Sequence, residues 1–323
     1  MRRYRMQIVL AAVLIACGVA RAEDWPTRPI TLVVPYPAGG PTDVVGRLFA
    51  QQMSETLGRP IVVENIGGAG GMIGASRVAH AAPDGYQVLF VGSAMTNSQL
   101  LYKKPLFNSV TDFAPVGLLT RQSLVLIARK DAPFDGLQSF IRYVKANKTA
   151  SFGSAGTGSS THLGCVMLNL AIDANVTHVP YRGVAPAMQD LIGGRIDYYC
   201  TLIPDAIPQV QGGAIKGIAM LSRSRSQMLP HLPTADEQGL ANFDVADWYG
   251  LFLPKGTPAS IVQKLHDAAI ASLDTPSFRN RLHSLGVEVV APERRSPEYL
   301  ASFLKDEIAK WTAPIKASGI TVD

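Results

Sequence analysis

The chain has 323 residues, 47% of them hydrophobic, and a formal charge of +5. That length can bury a sizeable core and suits two domains. The charge is concentrated at one end: residues 1–22 carry four arginines and no acid, which leaves 26 basic against 25 acidic residues elsewhere. Charge therefore excludes any general case for nucleic acid or an anionic membrane as partner, and anion binding has to come from local geometry.

Taken in chain order, the first element is a leader. Arg2, Arg3 and Arg5 precede the apolar run IVLAAVLIACGVA, and Ala20-Arg21-Ala22 is a small-x-small cleavage site. This order predicts a secretory signal peptide over residues 1–22, too short for a good membrane span, and export to the periplasm of a bacterium. Leu14-Ile15-Ala16-Cys17 also reads as a lipobox that would leave a lipidated Cys17 at the mature N-terminus; cleavage after Ala22 is the preferred expectation. Cys165 and Cys200 remain. An oxidising compartment permits a disulfide, their spacing is not that of a metal site, and two buried free thiols are expected.

The run ITLVVPY (30–36) predicts a strand buried on both faces of a parallel sheet. Val44, Val45, Leu48, Phe49, Met53 and Leu57 then recur at helical spacing, closed by Gly58 with Pro60 beyond. PIVVEN (60–65) is the next strand, followed by a glycine-rich turn and a helix ending near Ala82-Pro83; YQVLFVGS is a third strand. SLVLIARK (123–130) and TASFGSAG (149–156) are predicted strands, SSTHLGCVMLNLA (159–171) a helix, VTHVPY a strand, APAMQDLIGG a helix closed by Gly193, and IDYYCTLI and IKGIAMLS two more strands. Thr257-Pro258, Thr275-Pro276 and Ser296-Pro297 each place an N-cap residue before a proline at a first helical position, so the C-terminal part is helical. Strands alternating with helices predict an α/β fold with parallel sheet.

Two turns stand out. In VVPYPAGGPTD (33–43), Gly39 and Gly40 allow close backbone approach and positive φ, and Thr42 or Asp43 is placed to cap the following helix. Such a turn aims N–H groups and a positive helix end into one crevice. One exposed helix end is worth about 0.3–1 kcal/mol to an anion, far below the ~8 kcal/mol of a micromolar site. Several charge-assisted hydrogen bonds of roughly 1.5–3 kcal/mol each are needed, and a second donor cluster facing the first supplies them economically. FGSAGTGSSTHL (152–163) repeats the strand, turn, helix pattern and adds the hydroxyls of Ser154, Thr157, Ser159, Ser160 and Thr161.

The segments WPTRPITLVVPYPAGGPTD, VENIGGAGGMIGA, APDGYQVLF, GSAGTGSSTHL, HVPYRGVAPAMQDLIGGRID, LPHLPTADEQGL, DWYGLFLPKGTP and EIAKWTAPIKASGI occur in this order along the whole mature chain. Together they resemble the Bug-type solute receptors of tripartite tricarboxylate transporters. The resemblance implies a periplasmic binding protein of type II-like architecture: two α/β lobes, joined by crossing strands, with a ligand cleft between them. It implies lobe 1 over 24–122 and 244–323, lobe 2 over 123–243, and hinges near Arg121-Gln122 and Asn242 to Asp247. It further implies a small organic carboxylate as ligand, inner-membrane permease subunits as partners, a monomer, and no cofactor.

In the family one carboxylate is pinched between the two glycine-rich loops. Carried over, that assigns Tyr36, Ala38, Gly39, Gly40, Pro41, Thr42 and Asp43 from one lobe. Ser154, Gly158, Ser159, Thr161 and His162 come from the other. Ser93 and Asn97, Tyr181 and Arg182, and Thr201 to Asp205 are expected walls of the far end. Family members often carry an acid where Thr201 stands, so a less acidic far end is expected, with Arg182 offering a donor fork to a second carboxylate. Tyr36, Tyr181, Tyr198 and Tyr199 are candidates to face an aromatic ligand. The expected ligand is a dicarboxylate, with aromatic ones among the candidates.

Enzyme patterns are weak. Gly68, Gly70 and Gly74 miss the dinucleotide-binding register, no G-x-S-x-G elbow occurs, and the six histidines show no metal-ligand spacing. Ser159 and His162 could be imagined in a triad, but their closeness in sequence, with His162 in the first turn of a helix, suits a cap or cleft wall better. A secreted hydrolase on the same scaffold, or a receptor serving a sensor kinase, are the alternative readings.

Overall fold

The computed structural model describes residues 25–319 and 321; the predicted signal peptide, with Cys17, lies outside them. From β1 (Ile30–Val34) the chain turns through residues 35–40 into α1 (Pro41–Leu57), which ends as expected at Gly58 in the left-handed conformation, φ 65°. β2 (Ile61–Asn65), α2 (Met72–Ala79), β3 (Gln87–Val91) and α3 (Ala94–Leu101) follow. The long β4 (Phe113–Arg129) leads to α4 (Leu137–Ala146), β5 (Ser151–Ser154), α5 (Ser160–Ala171), β6 (Thr177–Pro180), α6 (Val184–Ile192), β7 (Tyr198–Leu202), α7 (Ile203–Gln211) and β8 (Ile215–Met220). β9 (Ala246–Pro254) precedes α8 (Ala259–Asp274), α9 (Pro276–Ser284), β10 (Val287–Val289) and α10 (Pro297–Ser318).

The strands run in the order β2-β1-β3-β9-β4-β7-β5-β6, with β8 and β10 also paired to β4. β1, β2 and β3 are parallel, as are β5, β6 and β7, while β4 and β9 run against their neighbours. β4 is the element common to both halves of the sheet. Its first part, through Ser123, pairs with β9, and from Leu124 onward it pairs with β7 and β8. Each half is buried on both faces, which is why its strands read as unbroken apolar runs. In β1, Leu32 and Val34 pack with Phe49, Phe90 and Leu265 on one face, while Val33 joins Met72, Leu118 and Leu300 on the other. In β4, Leu124 and Leu126 face Phe140 and Phe152, while Val125 and Ile127 face Leu191 and Ile203.

Four expectations are corrected. The helix after β2 ends at Ala79, three residues earlier than read. β4 begins at Phe113, ten residues before the predicted strand; Pro115 and Gly117 look like breakers, but they sit where the β4–β9 register shifts, the one kind of place a sheet tolerates them. Pro258 is the N-cap residue of α8, not its first residue, whereas Pro276 and Pro297 do open their helices. Cys165 and Cys200 are not free thiols. They form a disulfide with a Cα–Cα distance of 5.3 Å, because α5 packs directly on β7 and places the two side chains in one core layer.

Candidate functional site

Three helices begin at one point. α1, α5 and α6 each follow a strand and a glycine-containing turn, and Pro41 and Thr42, Ser160 and Thr161, and Val184 to Pro186 line the same cavity of about 50 Å³. That is room for roughly three to five ordered waters, or one carboxylate with a short apolar stem. Among the described residues, the N–H groups of Gly40, Thr42, Asp43, Ser160, Thr161, Val184 and Ala185 have no backbone acceptor. They are the orphan donors every helix start leaves. Helix ends partly shielded from water are worth up to ~2 kcal/mol each to an anion. Tyr36, Pro37, Ala38, Ala155, Leu202 and Gly183 complete the wall, and Arg182 stands exposed at its rim. A larger space of about 570 Å³ continues outward between Gly67–Gly71, Tyr102, Gly156, Thr157 and Tyr181.

The first loop is shaped from within. Asp43 does not cap α1, and neither does Thr42; Gly40 is the N-cap, without a side-chain bond. Instead Asp43 accepts hydrogen bonds from Gly39 N–H (2.8 Å), Arg47 Nε (2.9 Å) and Asn65 Nδ2 (2.8 Å). Burial would raise the Asp43 carboxyl, but these donors outweigh it and hold it below the usual carboxylate range. Thr42 and Tyr249 hydroxyls are 2.9 Å apart. Gly39 is exposed at φ 82° with open space where a Cβ would stand, so it serves the turn and lies outside the cavity.

The second loop is held from behind by two imidazoles. Ser159 caps α5 by accepting from His162 N–H, and Thr161 Oγ1 accepts from Ala155 N–H at 2.9 Å. Gly158 N–H donates to His162 Nδ1 at 3.2 Å, and Gly156 N–H donates to Ser154 Oγ, which is 2.6 Å from His178 Nε2. The two rings stack 4.0 Å apart. Burial pushes His162 down to about 3, helped by the nearby His178, which burial itself lowers to about 4. Ser154, Gly158 and His162 therefore sit behind the loop, not in the inner cavity, and the His162 ring makes no hydrogen bond to the Ser159 hydroxyl.

Several further expectations change. Asn97 does not line the cavity; its Nδ2 donates to Gly158 O at 2.9 Å, tying α3 to the second loop. Ser93 N–H donates to the buried Asp247. Tyr181 lines the outer space with its hydroxyl on Asp190 at 2.8 Å, and burial followed by that bond pushes the phenol up to about 12. Tyr198 and Tyr199 are fully buried, so their rings are core and face no ligand. Tyr36 lines both spaces, its hydroxyl donating to Gly70 O at 2.9 Å. Thr201 is fully buried, and neither it nor Asp205 lines the two spaces described above. Thr201 Oγ1 donates to Asp205 Oδ2 at 3.3 Å, because the first turn of α7 returns a carboxyl to the end of β7.

The start of α6 was missed. Its signal was legible: YRGVAPAM is a third strand, glycine, helix start with a proline in the first turn. Among the described residues no group of three or more His, Cys, Asp and Glu could hold a metal ion, and no helix is long and apolar enough to cross a membrane.

The family described as tripartite tricarboxylate transporter family receptor matches residues 45–320. The chain belongs to this receptor family. Among solved receptors, the periplasmic binding protein BugD is 40% identical with a TM-score of 0.87, over 92% of this chain and 99% of that one. MatC from Rhodopseudomonas palustris, solved with bound malate, is 40% identical with a TM-score of 0.86, over 90% and 100% of the two chains. The R. palustris protein Rpa4515, solved with adipate, is 32% identical with a TM-score of 0.87, over 92% and 99%. The receptor is thus a Bug-type solute-binding protein of periplasmic binding protein fold.

Proposed function

We propose that this receptor captures a small dicarboxylate in the periplasm and delivers it to the membrane subunits of a tripartite tricarboxylate-type transporter, acting as a monomer and without chemistry. The observation that carries this is the convergence of three helix starts, with free N–H groups, on one small cavity built from both halves of the sheet. Two or three charge-assisted hydrogen bonds at roughly 1.5–3 kcal/mol each, with the helix ends, reach the ~8 kcal/mol of micromolar binding. Lobe 1 spans 24–122 and 244–323, lobe 2 spans 123–243, and the lobes close about the point where β4 changes partners, after Ser123. Export follows cleavage after Ala22.

The ligand is aliphatic rather than aromatic. Pro41, Val184, Pro186 and Leu202 form a narrow apolar sleeve, and the two ligand-bound relatives hold malate and adipate. The first carboxylate sits against the helix starts, and the second meets Arg182 at the rim. Calorimetric titration of the mature chain with matched mono- and dicarboxylates tests this. Dicarboxylates are expected to bind at micromolar concentration, and Arg182→Ala to weaken them while sparing monocarboxylates. No binding of any carboxylate by protein shown to be ligand-free would refute the receptor assignment.

A further inference from the structure

A second cavity lies away from the cleft. It measures about 260 Å³, room for roughly nine waters at ~30 Å³ each, or for one ring with a short acidic arm. Its walls come from β4, the chain leading into β9, the segment after β10 and one face of α10. None of the residues that line it lines the cradle or the outer space beside the cradle.

The apolar part of this cavity is aromatic. Trp248 is 3% exposed and meets the half-buried Phe303 edge to face, with ring centres 5.3 Å apart. Tyr299 stacks on Phe303 at 6.1 Å. The 299 and 303 positions share a face of α10 because they are four residues apart. Leu118 and Val290 extend the apolar surface. The indole N–H of Trp248 has no hydrogen-bond partner among the described residues.

The charged part leaves one cation over. Asp244 accepts two hydrogen bonds from Arg121 Nη2, at 2.8 and 2.9 Å, and Arg223 stands 3.9 Å away. Glu307 is held by Lys310 at 3.1 Å and by Trp311 Nε1 at 2.9 Å. Asp247 accepts the N–H groups of Ser93 and Trp248, each at 2.9 Å. Each carboxylate of the wall therefore has its donors already. Arg294 also lines the cavity, is exposed, and among the described residues its guanidinium pairs with no carboxylate.

These features together select an occupant. An inorganic anion would meet Arg294 but make no use of the aromatic wall. A neutral ring would pack on that wall and leave the guanidinium fork unused. A cationic ring would meet Arg294 with like charge and find the carboxylates engaged. A ring that carries a carboxylate uses both parts, since aromatic faces pack on one another and guanidinium donors match a carboxylate in the same plane.

We propose that this cavity is a second ligand site, for a small aromatic carboxylic acid whose ring packs against Trp248, Tyr299 and Phe303 and whose carboxylate pairs with Arg294. The site is separate from the cleft and does not depend on which acid the cleft captures.

The test is proton–nitrogen NMR of the mature chain titrated with phenylacetate and with phenylacetamide, which has the same ring and no charge. The chain has three tryptophans, so Trp248→Phe, or Trp25→Phe and Trp311→Phe by elimination, assigns the indole signal of Trp248. Phenylacetate is expected to move that signal saturably and to bind at least about fivefold more tightly than the amide. Arg294→Gln, a change at an exposed side chain, should bring the two within about twofold while leaving capture of dicarboxylates in the cleft unchanged. A Trp248 signal unmoved at about 10 mM phenylacetate would overturn the site. Shifts confined to the cradle N–H groups would place the acid in the cleft and overturn it equally. Equal binding of acid and amide by the wild type, or a preference that survives Arg294→Gln, would overturn the pairing with Arg294 and the ligand class with it.

Discussion

Gly70 abuts the backbone of the second loop, and filling that contact separates closure from folding. A Cβ at Gly70 would overlap the carbonyl oxygen of Thr157 and stand 3.0 Å from the carbonyl carbon of Gly158. Both are backbone atoms and cannot swing away. In Gly70→Ala the closed arrangement is therefore blocked, while the half that carries Gly70 keeps its own packing. A ligand held only by the α1 side loses the donors of Ser160 and Thr161. Two charge-assisted bonds of roughly 1.5–3 kcal/mol each amount to ~3–6 kcal/mol, or about 10²–10⁴ in affinity. The substitution also strains the backbone, since Gly70 sits at φ 62°, which costs an L-residue ~1–2 kcal/mol. Gly194→Ala supplies the control: its φ is 72° and nothing lies within 4 Å of a Cβ there. Calorimetry should show the collapse in affinity for Gly70→Ala alone, and small-angle scattering should show that ligand no longer compacts it. Binding within about threefold of wild type in Gly70→Ala would refute both the hinge closure and the placement of the second loop over the ligand.

Other outcomes follow from single contacts. Asn97→Ala strands the buried Gly158 carbonyl only in the closed form, so ligand affinity should fall by ~1–3 kcal/mol in a calorimetric titration; unchanged affinity would show that the Asn97 bond is not part of closure. Replacing both Cys165 and Cys200 with serine removes a cross-link spanning 35 residues, and guanidinium unfolding should report a loss of about 3–4 kcal/mol. Nitrogen-edited NMR should find His162 and His178 neutral at pH 5.5, where a free imidazole is mostly charged. Because their folded values lie below the unfolded value of ~6.5, the pair loses stability as pH falls from 6.5 towards 4. Asp205, raised to about 7, acts in the opposite sense over the same range, contributing stability that is lost as pH rises from about 4 to 7. The difference between wild type and His178→Gln, measured by unfolding at pH 5 and pH 7.5, isolates the imidazole part; no difference between the two pH values would contradict it.

Much of this protein was legible in local pattern. Unbroken apolar runs marked β1, β3 and the second part of β4, because strands buried on both faces have no polar side. Gly58 and Gly193 marked helix ends, and the glycine-rich turns at 36–43 and 154–162 marked two of the three helix starts that face the cavity. All of these are decided within a few residues of chain, where backbone sterics and helix-end hydrogen bonding act. What the sequence left open was which partner each group would choose across the fold. Asp43 sat where a cap belongs but folded back on Gly39 and Arg47; Asn97 looked like a wall and became a tie to Gly158; Thr201 looked like a lost acid until α7 brought Asp205 beside it. Cys165 and Cys200 meet only because α5 lies on β7. Only the tertiary structure decided these, because contacts between residues distant along the chain depend on packing that no local pattern encodes.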